Sequence, residues 1–172
     1  MTTATLALRP IGPEDQPFLY EVYASTRLEE LAPLGWSAEQ QAAFLTQQFN
    51  AQHQYYHANY AGADFQIILV NDQPAGRLYV DRRVNEIRLI DIALLPEYRD
   101  GGIGSRLLKD LLAEAAQAGQ LVSIHVEKFN PALRLYERLG FSIIDDRGVY
   151  WFMQWKPQEV NSAVSAKQRA EG

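Results

Sequence analysis

The spacing of apolar residues changes along the chain, and each change marks an element. Leu6, Leu8 and Ile11 around Arg9-Pro10 predict a short strand that ends at a turn. Phe18, Leu19, Val22 and Tyr23 then recur at helical spacing, behind Pro13-Glu14-Asp15, whose acids suit the positive end of a helix dipole. Pro33 and Gly35 interrupt that pattern, and Ser37 with Gln40 resembles a capping box opening a second helix through Phe44, Leu45 and Phe49 toward Tyr55 and Tyr56. From Asp64 the period falls to two. Residues 65–70 and 76–81 predict a hairpin around Asn71-Asp72-Gln73-Pro74, and residues 86–95 a further strand. A helix is expected from about residue 102 to 118, with Leu107, Leu108, Leu111, Leu112 and Ala115 on one face and Gly119 at its end. Residues 121–126 read as a buried strand and residues 131–139 as a short helix closed by Gly140. Residues 141–144 and 149–155 read as a last hairpin. The order is strand, two helices, strands, helix, strand, helix, strands. It predicts an α/β or α+β sandwich with at least one crossover joining parallel strands.

Length and composition narrow the picture. With 172 residues, the chain fits one domain over 1–157 with one sizeable core. Residues 158–172 are polar and small, and are expected to form a disordered tail. Cysteine is absent, which excludes disulfides, thiolate metal sites and a cysteine nucleophile, and fits a reducing compartment. The net charge of −5 weighs against a nucleic-acid partner and suits a cationic amine. The start has no basic region followed by an apolar core, and no apolar run approaches the ~18–20 residues that span a bilayer. A cytoplasmic protein without a membrane partner is therefore expected. His53 and His57 stand four apart, as metal ligands on a helix do, but no third ligand accompanies them. A solvated face and no metal are the expectation.

The stretch with the most chemistry in it is Leu94-Leu95-Pro96-Glu97-Tyr98-Arg99-Asp100-Gly101-Gly102-Ile103-Gly104-Ser105. A strand ends, a loop turns, and glycines open a helix. Glycines let backbone approach a ligand and expose successive N–H groups at a helix N-terminus, where the dipole favours anions. Arg99 adds fixed positive charge. In physical terms this is a pyrophosphate cradle. A Walker loop would need Gly-Lys-Ser/Thr, whereas Gly104 is followed by Ser105-Arg106. A dinucleotide fingerprint would need a third glycine at Leu107, early in a doubly wound fold.

The stretch resembles the acyl-CoA signature of the GCN5-related N-acetyltransferase (GNAT) superfamily, R/Q-x-x-G-x-G/A, with Arg99, Gly102 and Gly104 at its defining positions. One helix and one strand later, Asn130-Pro131-Ala132-Leu133-Arg134-Leu135-Tyr136-Glu137-Arg138-Leu139-Gly140-Phe141 matches a second segment of that superfamily, N-P-A-x-x-L-Y-E-x-L-G-F. The resemblance covers roughly residues 65–155; residues 1–63 match only in outline. It implies the GNAT (acyl-CoA N-acyltransferase) fold: a mixed, mostly antiparallel sheet with a central splayed parallel strand pair and helices on both faces. It implies acetyl-CoA as co-substrate, no metal, and transfer of acetyl to a primary amine of a small molecule or peptide by direct attack in a ternary complex. A homodimer is compatible with it. Two alternatives stay open: transfer of another acyl group, and a non-catalytic acyl-CoA-binding regulatory domain.

Roles follow by position in the resemblance. Backbone groups of Ile92, Ala93 and Leu94 would hold pantetheine. Amides of Asp100, Gly101, Gly102, Ile103, Gly104 and Ser105, with Arg99, would hold the pyrophosphate. Asn130 suits capping of the short helix and would also touch the pantetheine arm. Tyr136 resembles the general acid that protonates the departing thiolate. It also falls on the stripe Ala132, Leu135, Tyr136, Leu139, which reads as core-facing. Some members carry a basic glutamate where this chain has Arg88, which cannot serve. Glu86, on the same strand face as Arg88, and His125, which also reads as a satisfied histidine on a half-buried strand, are candidates for the base, and a relayed water is a third route. Asp91, in Leu89-Ile90-Asp91-Ile92, needs a partner if buried; a loop or Arg88 is expected.

Overall fold

A computed structural model describes residues 4–157; the expected tail at 158–172 lies outside the described residues. Among the described residues, seven strands are hydrogen-bonded in the order β1-β2-β3-β4-β5-β7-β6. The sheet is mixed, and β4 (Glu86–Leu94) and β5 (Leu121–Glu127) are its parallel pair. They are joined through α3 (Ile103–Ala118) in the crossover that the sequence order predicts. The chain falls into two compact units: residues up to Arg82 together with Leu89–Gly104, and Arg83–Arg88 together with the stretch from Ser105. β4 contributes its first residues to the second unit and the rest to the first.

In the first unit, β1 (Leu6–Pro10), β2 (Asp64–Val70) and β3 (Gln73–Arg82) pair antiparallel. The turn between β2 and β3 is tighter than the sequence suggests. Asn71 and Asp72 both take positive φ (50° and 68°), which closes a two-residue hairpin and leaves Gln73 and Pro74 already paired with Val70 and Leu69. α1 (Gln16–Leu31) follows a single 3₁₀ turn, Pro13–Asp15. Asp15 does more there than complement the dipole. Its buried carboxylate accepts from Gly12 N at 2.7 Å and from both Arg9 Nη atoms at 2.8 and 2.9 Å, tying the helix start to β1. The Arg9 hydrogen bonds outweigh burial and hold the Asp15 carboxyl below its ordinary range.

α2 (Ala38–Asn59) begins at the expected capping box: Ser37 Oγ accepts from Gln40 N at 3.1 Å, and Gln40 Oε1 accepts from Ser37 N at 2.9 Å. Leu19, Tyr23, Leu31, Leu45, Phe49, Ile67 and Tyr79 form the core of this unit. His53 and His57 are not on a solvated face. Both are half-buried, with rings 4.3 Å apart, and His57 stacks on Phe65 at 4.2 Å. The aromatic side of α2 extends one residue row further than the apolar pattern shows, because histidine scores as polar but packs as a ring.

In the second unit, β5, β6 (Ser142–Arg147) and β7 (Tyr150–Trp155) form antiparallel pairs β5–β7 and β6–β7. β6 runs on through Asp145, Asp146 and Arg147, which the sequence assigns to a turn; as an exposed edge strand it tolerates charges on both faces. The expected stripe Leu107, Leu108, Leu111, Leu112 and Ala115 is buried, as are Ile87, Val122, Ile124, Val126, Phe141 and Met153. α4 (Leu133–Arg138) starts two residues later than predicted. Asn130 Oδ1 accepts from Ala132 N at 2.8 Å and its carbonyl from Leu133 N at 3.0 Å, so Asn130 caps a turn that leads into the helix. Among the described residues no helix is long and apolar enough to cross a membrane.

Candidate active site

The glycine-rich loop is built as its sequence requires. β4 ends at Leu94, the turn Pro96–Tyr98 reverses the chain, and α3 starts at Ile103. Asp100 (φ 63°) and Gly102 (φ 85°) both lie in the left-handed region. Aspartate tolerates it better than most residues, and glycine pays no steric penalty there. The first four N–H groups of α3 have no intrahelical partner by construction. A Cβ placed at Gly101, Gly102 or Gly104 would meet no atom within 4 Å, so the space above this turn is open on the side where side chains would otherwise stand. These features fit a diphosphate.

Arg99 is exposed and already engaged. Its Nε donates to the Leu94 carbonyl at 2.9 Å, and an Nη donates to Ser25 Oγ at 3.1 Å, which in turn donates to the Val22 carbonyl at 2.7 Å. The side chain thus braces the strand end against α1. One of the backbone groups expected to meet pantetheine, the Leu94 carbonyl, is used in this brace. On the other side of the strand, Leu95 N donates to the Ala75 carbonyl at 2.8 Å.

Beneath β4 lies an ion pair that sequence reading missed. Asp91 pairs with Arg77 on β3, not with a loop or with Arg88. Arg77 is 3% exposed; it also donates to Gln52 Oε1 on α2 at 2.9 Å and lies over the Tyr79 ring at 5.1 Å. Cross-strand neighbours depend on sheet order, so the sequence alone could not select Arg77.

The second unit carries the acid and base candidates. Tyr136 is 3% exposed, and its ring meets Phe141 edge-on at 5.6 Å, so the side chain occupies the core-facing stripe. On one face of the sheet, Glu86 and Arg88 on β4 flank the fully buried Ser123 on β5. Ser123 Oγ donates to Glu86 Oε2 and accepts from Arg88 Nε at 2.7 Å. Glu86 Oε2 also lies 3.5 Å from an Arg88 Nη and 3.9 Å from Arg83 Nη1. The Glu86 carboxylate is therefore committed to neighbours. His125 stands on the same strand as Ser123, two residues on, and packs on Phe152 at 4.9 Å. Its Nε2 lies 2.9 Å from Arg147 Nη1. A guanidinium has only donors, so Nε2 accepts and the ring is neutral with its proton on Nδ1. Burial, with the charges of Arg88 and Arg147, lowers its pKa from the ordinary 6.5, in agreement with that state.

The chain and its fold have counterparts among known proteins. Residues 22–141 match the model of the Acetyltransferase (GNAT) family, and the chain belongs to that family. It is 33% identical over 85 residues to the [Ribosomal protein bS18]-alanine N-acetyltransferase of Haemophilus influenzae. That match covers 49% of this chain and 58% of the relative, little more than half of its length. The fold is similar to that of PaiA N-acetyltransferase from Thermoplasma acidophilum in complex with coenzyme A, with a TM-score of 0.67 and 20% identity over 88% of this chain and 99% of that one. It is also similar to an acetyltransferase from Thermus thermophilus, with a TM-score of 0.63 and 18% identity over 88% and 97% of the two chains.

Proposed function

We propose that this protein transfers the acetyl group of acetyl-CoA to a primary amine of a small molecule or peptide. The observation that carries this reading is the loop from Arg99 to Ser105: two left-handed residues, open glycines and the free amides of a helix start, in a chain of the GNAT family. The H. influenzae relative, named for acetylating a ribosomal-protein alanine, supports an amine acceptor.

Amides of Asp100, Gly101, Gly102, Ile103, Gly104 and Ser105 would hold the diphosphate, with Arg99 adding charge. Backbone groups of Ile92 and Ala93 would align the pantetheine arm, and Asn130 would contact it. Bound acetyl-CoA supplies an activated thioester carbonyl. The amine nitrogen bonds to that carbon, the carbon–sulfur bond breaks, and the Tyr136 hydroxyl gives its proton to the leaving sulfur; the second proton on nitrogen leaves through water as the amide forms, and water returns one proton to the Tyr136 phenolate. His125 takes the proton that the ammonium must lose. Glu86 is tied to Ser123 and Arg88, and serves to position Arg88 rather than to move a proton.

Calorimetric titration with coenzyme A, followed by thiol release from acetyl-CoA across a panel of amines, tests this. Tight binding with turnover on at least one amine is expected. Absence of affinity would overturn the reading, and binding without turnover on any amine would favour a regulatory acyl-CoA-binding domain.

A further inference from the structure

The second unit ends a series of polar contacts on the lone pair that a basic His125 needs. Arg147 Nη1 donates to His125 Nε2 at 2.9 Å, while Nε of the same guanidinium donates to Asp145 at 3.0 Å. The guanidinium lies over the Phe152 ring at 4.1 Å, and Arg88 lies over that ring at 5.5 Å. The charged and titratable groups on this face are Glu86 and Arg88 on β4, Glu127 on β5, Asp145 and Arg147 on β6, and Tyr150 on β7.

Two consequences follow. First, a guanidinium does not give up its proton. With Nε2 filled and hydrogen on Nδ1, the imidazole has no site for a proton until Arg147 turns away. Second, two guanidinium groups on one ring repel an approaching ammonium. A carboxylate resolves both at once. Its hydrogen bond to a guanidinium is about twice as strong as a neutral one, and its two oxygens match the planar fork. Asp145 already accepts from Nε through one oxygen, which leaves the Nη edge for a second carboxylate. The Arg147 side chain is 45% exposed, so an incoming group reaches it without unpacking the core.

We propose that Arg147 gates His125: it occupies the Nε2 lone pair until a carboxylate carried by the acceptor draws the guanidinium off, which makes the protein selective for amines with a nearby carboxylate. This rests on the reading of His125 as the base. Once freed, Nε2 takes the ammonium proton to give an imidazolium, which returns it to water after transfer.

The test uses the full chain, wild type and Arg147→Met, with two C-terminally amidated tripeptides, Ala-Asp-Ala and Ala-Asn-Ala. Nitrogen-15 NMR of His125 is expected to show the Nδ1–H tautomer in the wild type, with a titration midpoint that rises in Arg147→Met. Ala-Asp-Ala, added with coenzyme A, should raise the wild-type midpoint, and Ala-Asn-Ala should not. With acetyl-CoA, kcat/KM should favour the acidic peptide by about tenfold in the wild type. In Arg147→Met that preference should vanish, with the neutral peptide gaining. An unchanged midpoint in Arg147→Met, equal response to the two peptides, or response to neither overturns the gate. His125→Gln separates the two ideas. If it keeps the wild-type kcat and pH profile, the base reading falls; if it is inactive while Arg147→Met keeps the preference, only the gate falls.

Discussion

Gly76 on β3 passes so close to Ala93 on β4 that a Cβ at position 76 would stand 2.1 Å from the Ala93 carbonyl oxygen and 2.9 Å from Leu94 Cα. Both are backbone atoms, so neither yields as a side-chain tip would. Gly76→Ala must therefore push the end of β4 away, at a cost of roughly 1–3 kcal/mol for overpacking. Urea denaturation should show that loss, and calorimetry should show weaker coenzyme A binding. Wild-type values in both would mean that this approach does not set the strand.

The pair Arg77–Asp91 is expected to be costly to break from one side. Asp91→Ala leaves a guanidinium buried with no counter-charge, and loses about 3–5 kcal/mol in chemical denaturation. Replacing both residues with apolar ones of similar volume should recover much of it. A single variant as destabilised as the double one would argue against the pair.

Acid should destabilise the protein in two windows. Burial comes first among the causes that lower the pKa values of His53, His57 and His125 below the ordinary 6.5. Between the folded and unfolded values, the unfolded chain binds more protons, so stability falls as pH drops below 6.5. Asp15, also lowered, adds a second loss below 3.8. His57→Phe, which keeps a ring against Phe65, should flatten the first window in denaturation curves taken across pH. An unchanged slope there would place the proton uptake elsewhere.

Gly102→Val forces a β-branched residue into φ 85°, a strain of roughly 1–3 kcal/mol, and fills the open side of the loop. Coenzyme A affinity should fall by at least tenfold in calorimetry. Arg99→Ala, on an exposed side chain, should lower affinity by about tenfold with little change in unfolding midpoint. Equal affinity in both variants would remove the loop from coenzyme binding.

Tyr136→Phe keeps the ring that packs on Phe141 and removes only the hydroxyl. The fold should persist by circular dichroism, while kcat drops by about 10²-fold, the lower end for loss of a general acid. A wild-type kcat would leave Tyr136 as a core residue and nothing more.

The elements were legible in the chain because they depend on near neighbours. The capping box at Ser37, the leucine stripe of α3 and the strand–loop–helix around Arg99 are all properties of residues a few positions apart. Where the structure departs, the cause is a partner distant in sequence. β6 holds its charges because it is an edge strand. His53 and His57 pack because Phe65 lies under α2. Asp91 pairs with Arg77 because β3 and β4 are adjacent. Gly76 was the one missed residue with a local signal, since a glycine inside a strand often marks close backbone approach.

By itself, the sequence determined the order of helices and strands, the glycine-rich turn and the family to which that turn belongs, since periodicity, turn chemistry and motif spacing are local. Only the tertiary structure decided which charges meet: Arg77 with Asp91, Glu86 with Ser123, Arg147 with His125. Electrostatic partners are chosen by distance in space, and that distance is set when strands remote along the chain are laid side by side.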